Sequence, residues 1–150
     1  MTWVKRLLGR PSKVGPADPV EPDYYQRIGA AIAAVVAGEF DKALGHFEVE
    51  EDTINGDVIF LRDGRLAFRF GSPELNDLVH EFWEYWRDQP GQAEWRLFSM
   101  IVADGRFSAE LAYPDQVDES EDVFERRDRI VTQHFGALAV DYSGPDGAAA

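Results

Sequence analysis

The sequence predicts an α+β domain, an antiparallel sheet packed against helices in the order α-βββ-α-ββ-α. Three observations carry this expectation: two stretches with apolar residues at helical spacing, strand-like runs grouped around Asn-Gly and Asp-Gly dipeptides, and a third amphipathic stretch behind a polar gap. At 150 residues, 45% of them hydrophobic, the chain is long enough for one core and short for two. The boundaries read from it are a flexible basic, Pro-rich tail over 1–20, one domain over 21–142 and a loose Gly- and Ala-rich end over 143–150.

The first helix is expected over about residues 22–37. Pro22 suits a first turn, Asp23 adds negative charge at the positive end of the dipole, and Tyr25, Ile28, Ile32, Val35 and Val36 recur at helical spacing before Gly38. Its alanines, Ala30, Ala31, Ala33 and Ala34, are small enough to let the backbone approach a sheet. Three strands follow at 46–53, 57–62 and 65–70, with turns at Asn55-Gly56 and Asp63-Gly64, dipeptides that accept the left-handed backbone of tight hairpins. Ser72-Pro73-Glu74 opens the second helix with a hydroxyl cap, a first-turn proline and a carboxylate near the dipole's positive end. Leu75, Leu78, Val79, Phe82, Trp83 and Trp86 form its apolar stripe, which ends near Asp88.

A second hairpin is predicted from strands at 95–103 and 106–113 around Asp104-Gly105, with Gly105 at positive φ. Trp95, Leu97 and Ile101 point to one face and Phe98, Met100 and Val102 to the other, so this strand is covered on both sides. The third helix is placed at 121–135, with Ser120 as N-cap and Val123, Ile130 and Val131 on its buried stripe. Arg127 falls on that stripe and is expected to clamp the helix to the sheet through a buried partner. Arg126 falls off it.

Charge narrows the function. The net charge is -13, and because residues 1–20 carry four cations against Asp18 alone, residues 21–150 carry -16. Such a body is repelled by phosphate backbones and anionic lipid, which argues against nucleic acid and membrane as direct partners. The chain has no cysteine, which removes disulfides, thiolate nucleophiles and sulfur metal sites and suits a reducing compartment, so a cytoplasmic location is expected. The longest apolar run, 28–38, is too short to span a bilayer, and no secretory leader is read at the start.

Reactive motifs are scarce. His80-Glu81 lacks the second helical histidine of a zinc protease, and no nucleophile elbow, phosphate loop or dinucleotide fingerprint occurs. No catalytic residue, metal or cofactor is assigned. Carboxylates are plentiful, but a two-acid hydrolase needs one with its pKa raised by burial, whereas these lie in polar runs.

Two acidic clusters stand out: Glu48, Glu50, Glu51, Asp52 and Asp57 on the opening hairpin, and Asp115, Asp118, Glu119, Glu121 and Asp122 before the third helix. They read either as solvated surface or as a docking face for a basic protein, with Tyr113 as a neighbouring apolar anchor.

From Trp95 onward the order is a tryptophan opening a strand, the Asp104-Gly105-Arg106-Phe107 hairpin, Tyr113-Pro114-Asp115, an acidic stretch to Asp122, and Arg126-Arg127 leading to His134-Phe135-Gly136. This succession resembles the YezG-like family of bacterial antitoxin and immunity proteins. Two features depart from that family: Val131 stands where members often carry a tryptophan, and the basic Pro-rich start is not theirs. The resemblance implies an inhibitor that binds a cognate basic toxin, commonly a nuclease domain, without catalysis of its own. A carboxylate-dependent hydrolase and a ligand-binding or scaffolding domain are the rival expectations, and the oligomeric state is left open.

Overall fold

A seven-stranded sheet in the order β1-β6-β5-β2-β3-β4-β7 forms the centre of the protein in a computed structural model that describes residues 5–8 and 23–143. The elements in chain order are β1 (Lys5–Leu8), α1 (Tyr24–Val36), β2 (Lys42–Glu50), β3 (Thr53–Arg62), β4 (Arg65–Phe70), α2 (Pro73–Arg87), β5 (Leu97–Ala103), β6 (Arg106–Ala112), α3 (Val123–Phe135) and β7 (Val140–Asp141). All neighbours are antiparallel except the β4–β7 pair. The predicted α-βββ-α-ββ-α order is present, with one short strand added at each end. Lys5–Leu8 lie within the segment read as tail, yet pair along β6 from Leu111 to Ser108. The rest of the predicted 1–20 tail, Pro22 and residues 144–150 fall outside the described residues.

Helices cover both faces of the sheet. Tyr25, Ile28 and Ile32 of α1 and Leu75, Val79, Phe82, Trp83 and Trp86 of α2 pack on Ala43, Phe47, Val58, Phe60, Phe98 and Met100. Ile130 and Val131 of α3 pack on the other face against Leu44, Ile59, Leu66, Phe68 and Leu97. A central strand covered twice has few positions left for water, which is why Ala43 to Val49 of β2 are buried without a break. The small residue that lets α1 approach is Gly29, where an added Cβ would touch Met100 and Val102. Ala30 and Ala34, assigned to that contact from sequence, face solvent.

Local signals prevail where the backbone alone decides. Ser72 Oγ accepts from the Leu75 amide at 3.0 Å, and Asp63-Gly64 and Asp104-Gly105 both take positive φ. Packing overrides three others. The first hairpin turns at Glu51-Asp52, with φ of 50° and 67°, while Asn55-Gly56 lies inside β3. Gly56 stands directly opposite Phe47, and a Cβ there would come within 2.6 Å of the Phe47 ring and 2.5 Å of Asn76 Oδ1. That glycine makes room for a ring, so it is unavailable to a turn.

Trp95 precedes β5, so strand alternation does not govern it. It packs with Phe82 and Phe98 on the α1–α2 face, not with Leu97 and Ile101. Finally, α3 starts slightly later than expected: Asp122 caps it by accepting from the Phe124 amide at 2.9 Å, and Ser120 instead donates its hydroxyl to Asp118.

Candidate functional site

β2 alternates its side chains between the two faces, and the alternation that sends Phe47 and Val49 toward α2 turns His46 and Glu48 under α3. Glu48 is 4% exposed, so it is no surface contact residue, contrary to the sequence reading. A carboxylate buried there requires cations, and two arginines supply them. Arg126 donates twice, from Nε to Oε2 at 3.0 Å and from Nη2 to Oε1 at 2.8 Å. Arg96 Nη1 reaches Oε1 at 3.2 Å, and the His46 Nε2–H group donates to Oε2 at 2.9 Å. Burial by itself raises the Glu48 carboxyl pKa, but hydrogen bonds and charge from His46 and Arg126 outweigh it and bring the group from 4.5 down to about 2.

Arg126 is therefore the buried clamp, at 3% exposure, and its third nitrogen also donates to the Asp118 and Glu121 carbonyls. Helical spacing counted from Val123 places it off the buried stripe. Val123 is exposed, however, and the buried face runs through Arg126, Ile130 and Val131. Arg127 keeps an anchoring contact of its own, donating to Asp57 Oδ2 at 2.7 Å. Asp57, His46, Ser99 and Glu110 form one register row across four strands below α3. The row is incompletely paired, since among the described residues His46 Nδ1 and Ser99 Oγ have no hydrogen-bond partner.

Arg96 connects this interior to the surface. Beyond Glu48 it makes a two-pronged pair with Glu119, Nε to Oε2 at 2.9 Å and Nη2 to Oε1 at 3.0 Å. Glu119 forms part of the wall of an open groove of about 340 Å³ that also takes in Glu50, Glu51, Asp52, Glu94, Trp83, Trp95 and Pro114. The groove lies where the β2–β3 turn faces the β6–α3 loop. It joins members of both acidic clusters across five carboxylates. Among the described residues Arg96 is its one basic lining residue, and two of the protein's own carboxylates already engage it. His80 Nε2 donates to the Asp52 carbonyl at 2.9 Å and ties the turn to α2.

A second hollow, bordered by Asp115, Asp118, Glu121 and Arg129, lies on the same loop. Several of its carboxylates have internal duties. Hydrogen bonds from Ser120 lower the Asp118 pKa, an Arg129 hydrogen bond lowers that of Glu121, and Asp122 is spent on the cap of α3. Tyr113, expected as an apolar anchor, is half-buried; its hydroxyl accepts from Trp86 Nε1 at 3.0 Å and its amide donates to Gln116.

Of the acids bordering these two hollows, Glu50, Glu51, Asp52 and Asp115 are exposed, and Glu94 is exposed with Arg87 Nη1 at 3.7 Å. Arg96 and Arg126, both missed as site residues, had a legible signal: a glutamate flanked by Phe47 and Val49 in an apolar strand requires a cationic partner. Which arginine answers it is a tertiary matter.

Among the described residues no cluster of His, Asp and Glu could hold a metal ion, and no helix is long and apolar enough to cross a membrane. Fold and site together define a helix-covered antiparallel sheet with an acidic groove at one end. Compared with family models and with curated proteins, the chain matches none.

Proposed function

We propose that the protein is a non-catalytic inhibitor of the immunity or antitoxin type, which acts in the cytoplasm by docking a basic toxin domain on the acidic groove. The observation that carries this reading is a groove lined by Glu50, Glu51 and Asp52 of the first acidic cluster, by Glu94 and by Glu119 of the second, whose sole lining cation among the described residues is already paired. Such a concave negative surface attracts and orients a basic partner, and a nuclease domain presents the complementary charge where it binds its own substrate. The turn supports the reading as well. Glu51 holds left-handed backbone, φ 50°, where asparagine or aspartate fits with less strain, so a glutamate stands there against conformational preference.

The rival two-acid hydrolase finds less support, because its general acid must hold a proton near neutral pH. Glu48, the most deeply buried carboxyl among the described residues, is instead held ionised down to about 2.

The test expresses the products of the genes adjacent to this one and pairs the protein with a basic, cell-toxic product in co-expression and in stopped-flow binding; the lack of any such product counts against the reading. A variant with Glu50→Gln, Glu51→Gln, Asp52→Asn and Glu94→Gln keeps side-chain size and spares every capping and clamping carboxylate. Its association should slow about tenfold or more at low salt, with the difference closing as salt rises. Unchanged rates at every ionic strength, together with full protection of the cell, would return these acids to a solubility role.

A further inference from the structure

We infer that the apolar anchor of the docking face is a cluster of exposed aromatic rings, Phe124 and Tyr142 beside Arg127 and Phe70 joined to them through Phe68, and that its occupant is a basic protein surface. This inference rests on the reading above and supplies more exposed apolar ring surface than half-buried Tyr113.

Five large hydrophobic residues are exposed among the described ones, and three of them come together from three separate elements. Phe70 ends β4, Phe124 lies in the first turn of α3, and Tyr142 follows β7. The Phe68 ring lies 4.9 Å from that of Phe70 and 5.1 Å from that of Tyr142. The Arg127 guanidinium stands 5.1 Å from Phe68, 5.2 Å from Phe124 and 5.5 Å from Tyr142. Isolated exposed rings are ordinary, but rings converging on one spot mark an interaction surface. Phe70 is 79% exposed and Phe124 is 60% exposed, so folding buries little of either. Arg127 is fixed by Asp57, which preorganises an arginine among aromatics, the composition in which binding energy concentrates.

Charge selects the occupant. Exposed Asp122, Glu125 and Asp128 lie on the same helix or its cap, whose exposed Arg129 is already paired with Glu121 at 2.8 Å, and the Tyr142 hydroxyl donates to Asp128 at 3.4 Å. A second copy would bring an identical acidic rim and a further net charge of -13 against this one. The chain's own ends fit poorly. Residues 144–150 read Gly-Pro-Asp-Gly-Ala-Ala-Ala and offer no large apolar side chain, while Lys5–Leu8 pair at the opposite edge of the sheet. A basic protein surface satisfies both the rings and the rim. Five residues of chain separate Glu119, on the wall of the groove, from Phe124.

The experiment compares three proteins against the basic toxic product used in the test above: wild type, the four-site groove variant, and Phe70→Ser/Phe124→Ser, with each single serine variant carried alongside. Thermal melts confirm that each is folded. The double serine variant should bind about 30-fold more weakly or worse, through faster dissociation and by a similar factor at low and high salt. The groove variant should act on association and only at low salt. If the double and single serine variants bind as tightly as a protective wild type, the aromatic anchor is overturned and the groove reading stands. If wild type neither binds nor protects, both fall. Sedimentation covers the remaining case: a wild-type dimer that Phe70→Ser/Phe124→Ser converts to monomer assigns the patch to a second copy and overturns the inference.

Discussion

Arg126 and Arg127 are adjacent in sequence, yet they carry different loads because one helical step of about 100° separates their directions. Arg126 shares Glu48 with Arg96 and His46 in the interior, whereas Arg127 meets Asp57 in a partly open setting. Arg126→Met should therefore cost about 3 kcal/mol or more, since it strips a buried carboxylate of its two-pronged partner. Arg127→Met should cost about 1 kcal/mol. Urea titrations of both variants check this, and the opposite order would make Arg127 the principal clamp.

Glu48 adds a pH dependence. Its carboxyl titrates at about 2 when folded and near 4.5 in the unfolded chain, so its contribution is complete above pH 4.5 and disappears as the pH falls from there through 2. The loss amounts to about 3 kcal/mol. In Glu48→Gln the stability curve should be flatter across that window, which unfolding titrations between pH 5 and 2 measure.

At the level of elements, the β2–β3 hairpin separates turn chemistry from packing. Replacing Glu51-Asp52 by Asn-Gly should stabilise the protein by about 1 kcal/mol, because both residues hold positive φ. Gly56→Ala, by contrast, should destabilise by about 2 kcal/mol, since its Cβ overlaps the Phe47 ring and the Asn76 side chain. Gly105→Ala tests a third situation, with open space around it and φ of 70°, so only backbone strain of about 1 kcal/mol is expected. Denaturant midpoints for the three variants rank these effects. A neutral Gly56→Ala would show that β3 tolerates a Cβ opposite Phe47.

For the whole molecule, charge has the widest reach. With -16 on residues 21–150, the folded body repels itself, and compaction works against that repulsion. Raising salt from about 0.01 M to 0.15 M shortens the screening length from about 30 Å to about 8 Å. The melting temperature should rise over that interval, a trend that scanning calorimetry follows. The buried Glu48 corner contributes little to it, being shielded from mobile ions. A fall in melting temperature with added salt would mean that attractive surface pairs such as Arg96–Glu119 and Arg129–Glu121 outweigh the like-charge repulsion.

What the sequence determines alone is what short stretches of chain decide for themselves. The order of helices and strands, the Ser72 cap, the Asp63-Gly64 and Asp104-Gly105 turns and the acidic balance all depend on neighbouring residues, and all are legible without the fold. The candidate site is legible only in part: the acidic runs single out Glu50, Glu51, Asp52 and Glu119, but equally Glu48, which is buried, and Asp57, which is half-buried and paired with Arg127. Tertiary structure decided which arginine is buried, that Gly56 gives space to Phe47, that Glu119 joins Glu50, Glu51 and Asp52 on one groove, and that Phe70, Phe124 and Tyr142 converge. Each of these turns on the strand order β6-β5-β2-β3-β4 and on the rotation of α3 about its own axis. Both are set by contacts between residues remote in sequence, and a repeat of 3.6 residues per turn locates a buried stripe only to within a neighbouring position until the opposing sheet selects the side chains that face it.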